Sequence, residues 1–591
     1  MQTHRIPASD FESVAAGGAD ESGVLRAGQL SKRRLLLATV LKKLEAQDPA
    51  QFEAGQFAQS WTTLACAAEL DAAAANDVLL YPAVGAWGMN YLRSLQGVES
   101  RWNAEDDPGY FGGLVAVAAL RVGLSAEVAV RVRTDGTVVF PSLGVLPSLG
   151  EPRWVTARVR PELDAVELTE HGRRFAVAPT ADALWWPLRR LRSSVAGQSI
   201  ELLLDDVDPF RAPDDVLPAS RMDEEAATWQ LHLDTAWELL IQHHPGRAVA
   251  IADGVASLTP LRATEAESEL NSSSGDSFGG ISLTPPRDAH GLATALVHEH
   301  QHLKLSALLD LIPLVEPSPG SLLYAPWRID PRPAGGLLQG AYAHLGLVQF
   351  WQRERFRLRD AEGRTAHFEF ARWRHGVDSA LGSLAGSGQL TEAGERFVQQ
   401  MRQALSPLLA EWVPALPLAL AREALDEHWF VWRLKNLRPD AGHIKAQALA
   451  FRAGEPFQFT GAPPPLPMPG KREAWTSGRQ MLAQSRLASP SGTLDLGGFG
   501  KVEAGDLAFS LRNYAAAAEH YADAIQAHDS HDAWTGFILA HRHLDSPATP
   551  ALVRCPETVR GLHRLLGVET ARRPAPEAVA AWISAALRER G

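Results

Sequence analysis

The chain has 591 residues, 46 % of them hydrophobic, which suffices for a large buried core and for roughly two to four domains of ordinary size. Its 57 basic and 69 acidic residues leave a formal net charge of −12, which argues against a nucleic-acid partner, since such proteins present a basic face. Two cysteines, Cys66 and Cys555, cannot build a disulfide framework or a multi-cysteine zinc site, and read as buried thiols of a cytoplasmic protein.

The first residues, MQTHRIPASDFESVAAGG, have no apolar stretch of the kind a secretory signal needs. The longest apolar run, Gly112 to Val130, is broken by Arg121 and is too short for a bilayer, so no membrane association is expected. Residues 1–105 form a helical region, with apolar residues of LSKRRLLLATVLKKLEAQ (30–47) at helical spacing. Residues 106–245 are mixed α/β. VAVRV (128–132), TVVF (137–140) and IELLL (200–204) read as short strands between Gly and Pro turns, and 205–213 as a loop. A helix from Glu224 to Gln242 follows, with Trp229, Leu233, Ala236 and Leu240 along one face.

The stretch 246–460 carries the chemistry. AVAIAD (248–253) reads as a strand, and SFGGISLTPP (277–286) as an edge strand closed by two prolines. His290 to Leu309 is a helix with Leu292, Leu296, Leu303, Ala307 and Leu308 at apolar positions, and a second long helix covers Gly336 to about Arg357. Residues 380–440 are helical again. Residues 461–499 hold a Pro-rich linker, APPPLPMPG (462–470). Residues 500–591 resemble a tetratricopeptide-like hairpin, with small Ala517 and Ala518 beside bulky Tyr514 and Tyr521; one such unit needs a larger body to pack on. The fold class is therefore α+β and predominantly helical: a zincin-like edge strand and HExxH helix, with a C-terminal helical hairpin.

The motif is HEHQH at 298–302. Four residues apart on a helix, His298 and His302 share a face one turn apart, so that both imidazoles can bind one cation at ~2.0–2.2 Å. Glu299 projects about 100° away and is better placed beside a metal-bound water than as a third helical ligand. His300 reads as a solvated bystander. A catalytic metal needs a further protein ligand and an open position. His344 on the next long helix is the leading candidate, with Glu354 a carboxylate alternative and His428 a more distant one. Asp310 lies ~12 Å along the axis from His302, too far to join them.

Phe278 to Trp351 resembles a bacterial family of HExxH-motif peptide-modification proteins, regarded as 2-oxoglutarate-dependent peptide β-hydroxylases. The resemblance is carried by FGGISLTPP (278–286), LVHEHQHLKLSALLDLIPL (296–314), YAPWRIDPRP (324–333) and GLLQGAYAHLGLVQFW (336–351), with weaker similarity in LDDVDPFR (204–211) and the C-terminal hairpin. His300 stands where an aromatic residue is expected. The resemblance implies Fe(II), held by His298 and His302 with His344 the favoured third ligand. Facial triads usually include a carboxylate, so Glu299 or Glu354 stays open as an oxygen ligand. It implies 2-oxoglutarate and dioxygen as co-substrates and a ribosomally made precursor peptide as substrate. Arg328 or Arg332 would take the distal carboxylate of 2-oxoglutarate; otherwise they pair with Asp330.

Residue chemistry alone favours a zinc metallopeptidase, with Glu299 as general base and the edge strand pairing with an extended peptide, and only the family resemblance reverses that order. A third reading is a non-catalytic peptide-binding maturation partner with a structural metal, closed by four protein ligands. Trp327, Trp351, Trp429 and Trp432 fall near the expected site and either line a peptide groove or pack in the core.

Overall fold

The computed structural model describes residues 4–20, 23–98, 107–147, 149–170, 173–177, 185–221, 225–263, 270–317, 320–459, 466–468, 470, 475–489, 503–569 and 573–588. The chain is α+β and predominantly helical. It divides into two compact units, Met1–Pro313 and Leu314–Gly591. The division falls within the 246–460 stretch, so the HExxH helix and the helix carrying His344 belong to different units.

The first unit opens with helices α1 (Ala8–Ala15), α2 (Val24–Gln47), α3 (Pro49–Ala54), α4 (Phe57–Leu70), α5 (Ala72–Leu79), α6 (Pro82–Ser94) and α7 (Tyr110–Arg121). Asp48 and Asp71 cap α3 and α5, their side chains accepting hydrogen bonds from otherwise orphaned backbone N–H groups. The strands that follow are β1 (Ala126–Val132), β2 (Val138–Phe140), β3 (Gly144–Leu146), β4 (Arg153–Arg160), β5 (Ala165–Glu170), β6 (Arg173–Val177), β7 (Trp186–Pro187), β8 (Arg189–Val195) and β9 (Gln198–Leu204). Two antiparallel sheets, β1-β4-β5-β6 and β2-β3-β7, share a core with the apolar α7.

The rest of the unit positions the motif. After α8 (Ala226–His243) and α9 (Pro245–Gly254) come β10 (Ser257–Pro260), β11 (Asn271–Ser272), β12 (Gly280–Leu283) and α10 (Ala289–Leu309). A mixed sheet runs β11-β12-β10-β9-β8, with β10 parallel to both β9 and β12. The predicted helix and its face are present: Trp229, Leu233, Ala236 and Leu240 of α8 are all buried, while Glu224 lies outside the described residues.

Three expectations are corrected. Residues 248–253 are helical, not a strand. Pro245 starts the helix with its fixed φ, and Ala248 and Ile251 are buried while Val249 is exposed, a three-residue period. The strand β12 is not the edge of its sheet, because β11 pairs antiparallel with it at Ser282 and Leu283. Cys66 is exposed; Cys555 is partly covered, and burial pushes its thiol up to about 12.

The second unit begins with a hairpin of β13 (Leu323–Ala325) and β14 (Arg328–Arg332), then α11 (Ala334–Arg357), α12 (Asp360–Ala385), α13 (Glu392–Leu409) and α14 (Ala415–Asn436). Next come β15 (Leu437–Arg438), α15 (Ala441–Ala453), β16 (Leu466–Pro467) and α16 (Gly478–Ala488). Much of the expected 461–499 linker lies outside the described residues. The C-terminal part holds α17 (Ala504–Ser510), α18 (Tyr514–Ala527), α19 (His531–His541), α20 (Thr549–Arg554), α21 (Pro556–Glu569) and α22 (Pro576–Arg588). The predicted hairpin is α18–α19, with Ala517, Ala518 and Tyr521 buried, and it shares a core with Phe430 and Leu434 of α14 and Ile444 of α15. Arg479 of α16 ties these helices together. Its Nε donates to Glu427 of α14 at 2.6 Å and its Nη1 to Asp506 of α17 at 2.7 Å, which also accepts from the Tyr521 hydroxyl of α18 at 2.7 Å. No helix among the described residues is long and apolar enough to cross a membrane.

Candidate metal centre

Helix α10 begins where Pro285 and Pro286 end the chain's run beyond β12. Asp288 caps it, accepting from Gly291 N at 2.7 Å. Leu292, Leu296, Leu303, Ala307 and Leu308 are buried as the spacing predicts, and α10 packs on α8 and α9. That packing fixes which way the remaining faces point.

His298 and His302 lie one turn apart, ring centroids 4.8 Å from one another and planes at 80°. Glu299 joins them, with Oε1 3.9 Å from His298 Nε2. One ligand atom from each of His298, Glu299 and His302 falls within 4.8 Å of the others. Two atoms bound to one ion at ~2.1 Å stand at most ~4.2 Å apart, so a small side-chain rotation closes the set on a cation. His298 leaves 20 % of its side chain exposed, and Glu299 only 3 %. The arrangement therefore combines a sheltered carboxylate with an approachable imidazole.

Sequence reasoning missed Ser273. Its hydroxyl donates to Glu299 Oε2 at 2.6 Å, which orients the carboxylate with its other oxygen toward His298. Ser273 sits beside β11, and the run Ser272–Ser274 contains no periodicity that singles it out.

The opposite face of α10 corrects another expectation. His300 is buried, not solvated. Its ring packs so closely on Gly254 that a Cβ there would stand 2.7 Å from His300 Nε2. Burial, with the charges of Lys304 and Arg247 adding to it, holds this imidazole well below its usual pKa and hence neutral. Lys304, one turn on, is also buried and donates to the carbonyls of Gly17 and Gly18. A cavity of about 630 Å³ opens here, lined among others by Gly254, Phe278, His300 and Lys304; His298, Glu299 and His302 do not line it. Asp310 is engaged elsewhere, accepting from Gln29 and Lys32 at 2.7 Å each.

The remaining predicted residues lie in the second unit. His344 is buried on α11 between two indoles, 4.4 Å from the Trp327 centroid and 4.5 Å from that of Trp373. Its Nδ1 is 2.8 Å from the Gly340 carbonyl oxygen. A carbonyl only accepts, so Nδ1 carries the proton and Nε2 of the neutral ring is the electron-pair donor, the tautomer a metal-binding imidazole needs. Gly340 also lets Trp327 approach, since a Cβ there would lie 2.4 Å from the indole.

Arg328 and Arg332 both close on Asp330. Arg328 donates through Nε at 2.9 Å and Nη2 at 3.1 Å, and Arg332 through Nη1 at 3.3 Å. Glu354 is fully buried and accepts two hydrogen bonds from Arg357. His428 Nδ1 shares a 2.9 Å hydrogen bond with the Tyr324 hydroxyl, and burial lowers its pKa to about 3. Trp429 and Trp432 stack at 5.5 Å, and Tyr324 stands edge-on to both.

The LDDVDPFR segment holds a second acidic group in the first unit. Tyr81 donates to Asp205 at 2.5 Å and Tyr110 to Asp208 at 2.8 Å. Burial, with the neighbouring Asp208 charge, pushes the Asp205 carboxyl up to about 7. Comparison of the chain with protein-family models and with curated proteins returns no match.

Proposed function

We propose that this chain is an Fe(II)- and 2-oxoglutarate-dependent hydroxylase that acts on a Cβ of a residue in a ribosomally made precursor peptide. The observation that carries the reading is the half-open cluster of His298, Glu299 and His302 on α10. The order β12, Pro-Pro turn, α10 agrees with the strand and HExxH helix read from the sequence. The choice of iron and 2-oxoglutarate rests on the sequence resemblance of residues 278–351. His298 and His302 would hold the metal. When bound, iron with 2-oxoglutarate and dioxygen supplies hydroxylation of an unactivated C–H bond, with succinate and carbon dioxide as co-products.

The protein's own residues then have separate tasks. Ser273 holds Glu299 so that one carboxylate oxygen faces His298, as an oxygen ligand or as the acceptor for a coordinated water. His344, in the second unit, keeps its proton on Nδ1 and its ring between Trp327 and Trp373, so that Nε2 is its electron-pair-donor atom. The partial exposure of His298 leaves an approach for reactants.

The second reading, a zinc peptidase with Glu299 as general base, is favoured by the burial of Glu299 beside the histidine pair. Against it, β11 covers β12 at Ser282 and Leu283, on the flank where an extended peptide would pair. Anaerobic reconstitution with Fe(II), followed by 2-oxoglutarate, oxygen and candidate peptides, separates the two. A peptide heavier by one oxygen atom together with succinate is the expected result. Peptide cleavage with zinc and no requirement for 2-oxoglutarate overturns it.

A further inference from the structure

We propose that Arg372, stacked on Trp373, is the anchor of a carboxylate-binding site in the second unit. Other arginines of this unit close on protein acceptors: Arg355 on Glu411, Arg357 on Glu354, Arg374 on the carbonyls of Leu408 and Glu411, Arg433 on Glu557. Arg372 differs. Among the described residues its guanidinium makes no hydrogen bond and no ion pair, and its Nε is shielded from water without an acceptor. Its one close partner is the Trp373 ring, with Cζ 4.5 Å from the centroid. Leaving a sheltered N–H without an acceptor costs on the order of 1–3 kcal/mol, a cost that an anionic ligand would remove.

The surroundings select the ligand. Tyr324 and His428 lie within the field of Arg372, and they are hydrogen-bonded to one another. Burial keeps both neutral, the phenol held above its usual range and the imidazole lowered to about 3. Asp426, whose charge also acts on Tyr324, is paired with Arg542. One flat cation on an indole face, with neutral hydrogen-bonding groups in its field, suits a single planar anion, and a carboxylate matches the guanidinium fork with two parallel bonds. Trp373 is also one of the two indoles that clamp His344, so this site and His344 share a wall. A small oxo-diacid and an acidic side chain of a peptide both offer that chemistry. The oxo-diacid source rests on the hydroxylase reading; the carboxylate site itself does not.

The test is saturation-transfer NMR on the metal-free full-length chain at millimolar ligand, with 2-oxoglutarate in one arm. The other arm uses a short Glu-containing peptide and its Gln counterpart. Binding in at least one arm, weakened about tenfold or more by Arg372→Ala and partly restored in Arg372→Lys, is the expected result. In the peptide arm the Gln counterpart should bind as weakly as the Glu peptide binds to Arg372→Ala. Circular dichroism confirms that the variants are folded, and Arg438→Ala, at an exposed arginine of the same unit, serves as the comparison, expected to change affinity less than twofold. The assignment is overturned if neither arm binds, if Arg372→Ala binds as tightly as the wild type, or if Arg438→Ala weakens binding equally. Because iron and turnover are absent, failure here leaves the hydroxylase test standing, and failure of hydroxylation leaves this measurement standing.

Discussion

Around Arg479 in the second unit, charges close on one another, whereas the cluster on α10 in the first unit gathers three electron-pair donors side by side. Arg479 is answered by Glu427, Asp506 and Tyr521, each at hydrogen-bond distance and each from a different helix. Opposed charges there stitch α14, α16, α17 and α18 together. On α10 the donors are two imidazoles and a carboxylate whose ligand atoms lie within 4.8 Å, with one imidazole partly exposed. Buried polarity by itself therefore does not mark a reactive site. The distinction lies in whether the charges are complementary and sealed, or alike in their demand for a cation and reachable from outside.

The sharpest way to break this comparison is to remove one donor. His302→Ala should lower affinity for Fe(II) or Zn(II) by about 100-fold or more while leaving the fold intact, as read by metal-competition titration and circular dichroism. A variant that keeps wild-type affinity would show that the cluster is not a metal site. The sealed cluster should behave oppositely. Arg479→Met strands Glu427 and Asp506 in the interior and should destabilise the protein by about 3–5 kcal/mol in chemical denaturation, with metal affinity unchanged.

A smaller change sharpens the role of the carboxylate. Ser273→Ala frees Glu299 from its 2.6 Å hydrogen bond and should weaken metal binding by about tenfold, with Ser273→Thr closer to wild type. The Asp205 site provides a third, milder case, sealed but not charge-matched. The Asp205 carboxyl has its pKa raised by burial from 3.8 to about 7. The folded state therefore holds a proton that the unfolded state has released, and this contribution to stability, complete below pH ~4, is lost as pH rises toward 7. Asp205→Asn should flatten the fall in stability over that window; an unchanged slope would place the titration elsewhere.

Much of the candidate metal site was legible in the sequence because it is local. Four residues of helical spacing bring His298 and His302 to one face whatever surrounds them, and the apolar stripe from Leu292 to Leu308 says which face is covered. The strands at 128–132 and 200–204, and the C-terminal hairpin, follow from period and turn chemistry in the same way. The short apolar run 248–253 misled because six residues are compatible with either period, and the decision lay in Pro245 and in what the run packs against.

The sequence by itself determined that two imidazoles of one helix face the same way, since a four-residue interval leaves no other arrangement. Only the tertiary structure decided, within each unit, which residues meet: that Ser273 orients Glu299 and His300 turns inward onto Gly254 in the first, and that Trp327 and Trp373 clamp His344 in the second. The same holds for the arginines, where Asp330 takes Arg328 and Arg332 and nothing takes Arg372 among the described residues. Spacing along a helix is set by the backbone's own geometry. Partners distant in the chain are chosen by which surfaces pack, and that choice is a property of the whole core.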